Sequence, residues 1–301
     1  MSKIGLVDIG SNTVRLVIYK TKADLDYRIL LNTKESVRLR NHVKDGFLTE
    51  EGIQKLFTVL KQYTRIAKKY DLDEFRLFAT QTVRMVKNKI EIIDRVEERF
   101  DLRIDVLTKD EESLLGFKGM HTYLDHQKHG VYVDLGGGSI EIVHFENNQP
   151  KNHKSLDFGS IVLRNMISHA IPTKDEIAYL NSYLHSEFDS LPWLRNLKLP
   201  LVVVGGSSRN LVRIDAFLTK RRESTHGYKL GFREIQRIRK ILMLLNIEEI
   251  ENIDGFTASR ADIIIPSIYV FECLYKYINA TYYRCSRTGL REGVLLDIIG
   301  G

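Results

Sequence analysis

The alternation of apolar and polar positions between residues 3 and 20 predicts a β-hairpin, and residues 27–40 read as a further extended segment. The chain therefore opens as an antiparallel meander. The period then changes. After a turn at Asp45-Gly46, Ile53, Leu56, Phe57, Leu60 and Ala67 recur at three and four, the buried stripe of a helix capped by Thr49. A short apolar strand over 75–80 delivers Thr80-Gln81-Thr82-Val83-Arg84 to its end, where an open α/β sheet usually binds its ligand. A helix over 90–100, a strand over 103–107 and a helix opening at Thr108-Lys109-Asp110-Glu111-Glu112-Ser113 complete the first half.

Residues 131–143 run Val-Tyr-Val-Asp-Leu-Gly-Gly-Gly-Ser-Ile-Glu-Ile-Val, a strand ending in an acid, a glycine turn, then a strand alternating around Glu141. Gly136, Gly137 and Gly138 carry no Cβ, so their N–H groups can converge on an anion and the turn can take φ > 0. Asp134, at the strand end, can hold a divalent cation beside such a cradle. The segment has a second copy. Val7-Asp8-Ile9-Gly10-Ser11-Asn12-Thr13-Val14-Arg15-Leu16-Val17 aligns with Val133–Val143 without a gap, identical at Val7, Asp8, Gly10 and Val17. An internal repeat implies two similar domains, here 1–124 and 125–301, with the handover in the polar stretch 123–130.

The second half continues through Asp157-Phe158-Gly159-Ser160 into a helix, and Thr173-Lys174-Asp175-Glu176 is a capping box for the next one. An apolar strand over 199–204 ends in Gly205-Gly206-Ser207-Ser208 before a helix. Glycines at a helix N-terminus make a third phosphate cradle, and the same residues equally serve as a serine N-cap. Amphipathic helices over 232–245 and 258–277, a strand over 281–285 and the stretch 288–296 close the chain.

Composition adds little that is specific. A chain of 301 residues with 43% hydrophobic and 28% charged residues is long enough for two soluble domains. No apolar run approaches the ~18 residues of a membrane helix, and no signal-peptide stretch precedes the first strand. Cys273 and Cys285 lack metal or redox spacing and read as small hydrophobes, consistent with a reducing cytoplasm. The net charge of +6, denser at Lys220-Arg221-Arg222 and from Arg233 to Lys240, suits a polyanionic substrate and also suits solvated helix faces. His121, His126 and His129 have no regular zinc spacing.

Taken together the motifs resemble the exopolyphosphatase and guanosine pentaphosphate phosphohydrolase (Ppx/GppA) family. They run in order from D-x-G-S-N-T-x-x-L at Asp8–Leu16 through E-E-S at Glu111–Ser113 and D-x-G-G-G-S-x-E at Asp134–Glu141. G-G-S at Gly205–Ser207 and L-R-E-G-V-L at Leu290–Leu295 complete the set. The resemblance implies an α/β fold of two ribonuclease-H-like domains of the actin, Hsp70 and sugar-kinase superfold, with an active-site cleft between them. It also implies a C-terminal helix, about 288–301, that packs back on the first domain. By residue, it implies Glu112 as the activator of the attacking water, Asp134 and Glu141 as partners of metal and water, and Arg84 as a phosphate contact. The chain stops at Gly301 without the helical HD-like region of longer members, and Pro266-Ser267-Ile268 stands where related kinases place glycines that admit adenosine.

The expected chemistry is release of orthophosphate from the end of inorganic polyphosphate, assisted by Mg²⁺ or Mn²⁺ held by Asp134, Asp8 and Glu141. Gly10, Ser11, Asn12, Arg84, Gly136, Gly137, Gly138, Ser139, Gly205, Gly206, Ser207 and Ser208 would bind the phosphates, and Glu112, Glu141 and Asp134 would be catalytic. Alternatives are pppGpp hydrolysis, a kinase or ATPase of the same superfold, and a non-catalytic sensor of polyphosphate or an alarmone. No nucleic-acid or membrane partner is expected, and a homodimer is left open.

Overall fold

A computed structural model describes residues 2–22, 25–124, 126–221 and 223–300. Asp125, where the second domain was expected to begin, and Arg222 of the basic cluster lie outside the described residues. The chain forms two compact units, residues 1–112 with 293–301, and residues 113–292.

In the first unit β1 (Lys3–Ile9), β2 (Val14–Thr21) and β3 (Tyr27–Glu35) form the predicted meander. The extended segment stops short of Arg40, because Arg38 takes a left-handed backbone (φ 50°) and residues 39–42 coil into a 3-10 turn. A small ladder of β4 (Val43–Lys44) and β5 (Phe47–Leu48) leads into α1 (Glu50–Lys68). Thr49 caps that helix as expected, its hydroxyl accepting the Gly52 N–H at 3.3 Å. The stripe read from the sequence, Ile53, Leu56, Phe57 and Leu60, packs into one core with Val7, Ile9, Leu16 and Leu77. β6 (Glu74–Ala79), α2 (Gln81–Met85), α3 (Lys89–Phe100) and β7 (Ile104–Val106) complete the unit. The sheet order is β3-β2-β1-β6-β7, with β1, β6 and β7 parallel.

Helix α4 (Lys109–Tyr123) belongs to both units, its first turn to the first and the remainder to the second. From Phe117 onward it is held by Tyr132, Val143, Phe145, Val202 and Val204, which form a core patch with Phe117, Met120 and Leu124. The second unit contains β8 (Gly130–Leu135), β9 (Ile140–Glu146), β10 (Gln149–Leu156), α5 (Ser160–Asn165), α6 (Lys174–Asp189) and β11 (Leu201–Val204). Then come α7 (Gly206–Thr219), β12 (Lys229–Leu230), α8 (Phe232–Leu242), α9 (Ile247–Glu251), α10 (Ala261–Tyr277) and β13 (Tyr283–Cys285), and α11 (Leu290–Gly300) starts in this unit and belongs to the first from Gly293 onward. The sheet order is β10-β9-β8-β11-β13-β12. Its first five strands repeat the connectivity of the other sheet, an antiparallel meander followed by two parallel strands, so both units are ribonuclease-H-like; β12 is an addition at the edge.

Helix α10 departs from its sequence pattern. It is buried almost all round from Ala261 to Leu274, because α5, α6, α7, α8 and α9 all pack on it, so it is a core helix rather than an amphipathic one. Cys273 and Cys285 are both buried. No helix among the described residues is long and apolar enough to cross a membrane.

One glycine in α4 shows how tightly the helix sits. A Cβ on Gly116 would lie 2.2 Å from the Tyr132 hydroxyl. Gly116→Ala gains about 1 kcal/mol of helix propensity, yet overpacking of this kind costs roughly 1–3 kcal/mol. The variant is expected to show a lower urea midpoint, and Tyr132→Phe in the same background to recover part of the loss.

Candidate active site

The two repeated hairpins make the same turn. Ile9 pairs with Val14 and Leu135 with Ile140, and each turn closes with one hydrogen bond, Gly10 N–H to the Thr13 carbonyl at 3.1 Å and Gly136 N–H to the Ser139 carbonyl at 3.0 Å. Neighbouring backbone then takes up the turn carbonyls. In the first unit the Ser11 and Asn12 carbonyls accept the Arg40 and Arg38 N–H groups at 3.2 and 2.9 Å. In the second, the Gly136 carbonyl accepts the Ser160 N–H at 2.9 Å and its hydroxyl at 3.0 Å, while the Gly137 carbonyl accepts the Ile161 N–H at 2.9 Å. Across a trans peptide the carbonyl and the following N–H point in opposite directions. The N–H groups of Asn12 and Thr13, and those of Gly137 and Gly138, therefore turn away from their supports in consecutive pairs, the arrangement of an anion-binding nest.

The need for glycine differs from the sequence expectation. None of Gly136, Gly137 and Gly138 takes the positive φ that the glycine run permits. Space is the constraint instead, and it falls on Gly159, where a Cβ would lie 2.6 Å from Gly137 C and Gly138 N. The left-handed glycine of this region is Gly205 (φ 101°), where a side chain would also press on Asp134 Oδ1, 3.3 Å from the Cβ position.

The acids differ between the copies. Asp134 lies directly opposite Glu141 across β8 and β9, whereas the equivalent position opposite Asp8 across β1 and β2 holds Arg15. Glu141 is buried and accepts the Ser155 hydroxyl at 3.0 Å. Two hard carboxylates on one face suit Mg²⁺ or Mn²⁺, ions that take one or two protein carboxylates and complete their shell with water and phosphate oxygens. Among the described residues no three His, Cys, Asp or Glu side chains converge, and His121 instead contacts Asn148 Oδ1 at 3.1 Å.

In the first unit, α2 presents Arg84 to the opening turn of α4. Arg84 Nη1 donates to Glu112 Oε2 at 2.8 Å and to the Leu107 carbonyl at 2.7 Å. Glu112 is buried at 7% exposure. The neighbouring Glu111 accepts from the Thr108 N–H and hydroxyl, both at 2.8 Å, and so spends its carboxylate capping the helix. The β1–β2 turn is tied to α2 by the Thr82 hydroxyl, which donates to Ser11 Oγ at 2.8 Å.

A model of the Ppx/GppA phosphatase family matches residues 17–300. The chain belongs to the Ppx/GppA phosphatase family. It is 25% identical to Exopolyphosphatase 1 of Mycobacterium tuberculosis, over 98% of this chain and 87% of that protein. It is 26% identical to a guanosine-5'-triphosphate,3'-diphosphate pyrophosphatase of Pseudoalteromonas atlantica, over 52% of this chain and 31% of that protein. The crystal structure of an exopolyphosphatase from Cytophaga hutchinsonii superposes with a TM-score of 0.91 at 24% identity, covering 99% of this chain and 98% of that one.

In this Ppx/GppA chain the third loop contributes differently from its sequence reading. The Ser207 and Ser208 hydroxyls are engaged inside the unit, Ser207 with Ser267 Oγ at 2.9 Å and Ser208 with the Val203 carbonyl at 3.1 Å and the Tyr283 hydroxyl at 2.6 Å. Gly205 gives α7 no side-chain cap, so the first-turn N–H groups and the helix dipole are what remain for an anion. Positive charge gathers there. The Arg260 guanidinium lies against Gly206. Burial pushes the Arg209 guanidinium below its usual range, and Arg291 and Arg213 crowd it further, partly offset by Cys285 and Asp134. Sequence reasoning missed Gly159 and Arg260; a glycine immediately ahead of a helix start was the one signal Gly159 left.

Gly159→Ala is expected to push the Gly136–Gly138 turn aside, costing about 1–3 kcal/mol of stability, read as a lower urea midpoint, and weakening thermal stabilisation by sodium triphosphate. Gly255→Ala is the control. Gly255 has a positive φ (74°), which the extended Gly159 (φ −146°) lacks, and nothing within 4 Å, so that change should cost stability and leave the triphosphate effect intact.

Proposed function

We propose that the chain hydrolyses the terminal phosphoanhydride of inorganic polyphosphate and releases orthophosphate. The observation that carries this reading is the buried Glu112 carboxylate held at 2.8 Å by Arg84, on an element next to a turn whose N–H groups are free for phosphate oxygens. The names of the family relatives support a phosphoanhydride substrate.

Phosphoryl transfer to water needs a positioned water, an acceptor for its proton and positive charge around the transferring group. Glu112 is the acceptor. Arg84, being fixed on two sides by Glu112 and the Leu107 carbonyl, offers its remaining N–H groups as an aligned donor set for phosphate oxygens. In the first unit the N–H pair of Asn12 and Thr13, and in the second the pair of Gly137 and Gly138 with the first turn of α7, are preorganised donors that cost no reorganisation during a reaction. A divalent cation on Asp134 and Glu141 would neutralise phosphate charge when bound. Release of the 5'-terminal phosphate of pppGpp is the second reading, favoured by the pyrophosphatase name of the Pseudoalteromonas relative.

Phosphate release measured against short and long polyphosphate, pppGpp and ATP, with Mg²⁺ or Mn²⁺ present, tests the choice. Polyphosphate is expected to turn over fastest; faster release from pppGpp would establish the second reading. Glu112→Gln is expected to lower kcat by about 10²–10⁴ while short-polyphosphate binding, followed by calorimetry, stays within a few-fold of the parent. Retained turnover in that variant would remove Glu112 from the role.

A further inference from the structure

The most unusual buried polar group in the first unit is Gln81, which the mechanism above leaves unused. It is 1% exposed, and neither Oε1 nor Nε2 has a hydrogen-bond partner among the described residues. Leaving a buried amide unpaired costs roughly 1–3 kcal/mol per group, so such a residue calls for a partner that arrives from outside. Its surroundings repeat the pattern. Gln81 and Arg84 are three apart in α2 and share a helix face. Arg84 Nε and Nη2 are also buried without a partner, and so is Asn12 Oδ1 in the turn that Ser11 ties to α2.

The chemistry of this set is mixed. Arg84 Nε, Arg84 Nη2 and Gln81 Nε2 are donors and match the oxygens of a phosphoryl group. Gln81 Oε1 and Asn12 Oδ1 are acceptors, which an anionic oxygen cannot satisfy and a water can. Since both amide atoms of Gln81 are unpaired, the reasoning holds whichever way the amide is turned.

We infer that Gln81 is a positioning residue for the attacking water, its carboxamide oxygen accepting one water proton while Glu112 accepts the other. This rests on the hydrolytic reading above. Two acceptors fix both O–H bonds and leave one lone pair aimed at the terminal phosphorus. In the step itself the water oxygen forms the new P–O bond and the bridging P–O bond breaks, its electron pair leaving with the shortened chain. The proton facing Glu112 passes to that carboxylate; the proton facing Gln81 stays on the oxygen and leaves as the P–OH of orthophosphate. Glu112 then returns its proton to the leaving phosphate or to solvent.

Gln81→Met keeps the shape and removes the amide. The expected result is a kcat lower by about 10², the scale on which a misplaced reacting group is felt, with KM within threefold of the parent. Because the substitution also removes an unpaired buried amide, the thermal midpoint should be equal to or above that of the parent. A kcat within threefold of the parent overturns the inference, and so does a lowered midpoint with kcat and KM impaired in equal measure, which marks a packing role. If the parent chain releases phosphate from polyphosphate and the variant matches it, only the Gln81 assignment falls. If the parent releases phosphate from neither polyphosphate nor pppGpp, the hydrolytic reading falls and takes this assignment with it.

Discussion

A loop can offer its N–H groups to an anion only when its carbonyls are satisfied elsewhere, and that constraint shapes both glycine turns of this protein. Two carbonyls of each turn, those of Ser11 and Asn12 and those of Gly136 and Gly137, are taken up by backbone following a meander. In the first unit the support is the 38–40 segment, which is why Arg38 breaks the extended run with a left-handed backbone. In the second it is the N-terminus of α5, brought so close that Gly159 has no room for a Cβ. The direction in which each turn presents its N–H groups is thus set by what lies behind the loop.

The duplicated hairpins share this geometry and differ in charge. Asp8 faces a basic cross-strand neighbour, Arg15, whereas Asp134 faces a second acid, Glu141. Like charges directly opposite on paired strands are unfavourable, and the buried Glu141 accepts the Ser155 hydroxyl from β10. An acid pair of this kind is a standing demand for positive charge, which a divalent cation or the arginines around the start of α7 can meet. The two turns repeat one hairpin, and a difference at one register position, Arg15 against Glu141, puts a cross-strand carboxylate pair in the second.

Much of this was legible along the chain. The paired hairpins, the Thr49 and Thr173 caps, the helix stripe of α1 and the β6 strand that delivers Arg84 all depend on neighbours within a few residues. Other features are set by distant residues. Ser207 and Ser208 look like phosphate ligands by position, yet their hydroxyls are consumed by Ser267, Val203 and Tyr283. The pattern of α10 looked two-faced, yet five helices cover it.

From order and spacing alone came the α/β class, the internal repeat, the family motifs and the identity of the acids and glycines, because hydrogen-bond periodicity, turn chemistry and motif spacing are properties of short stretches of chain. Folding decided which N–H groups turn outward, why Gly159 cannot be anything larger, that Asp134 stands opposite Glu141, that Arg84 grips Glu112, and that the Gln81 amide is left unpaired. Those outcomes depend on which atoms far apart in sequence compete for the same volume and the same hydrogen bonds, and no local pattern encodes that competition.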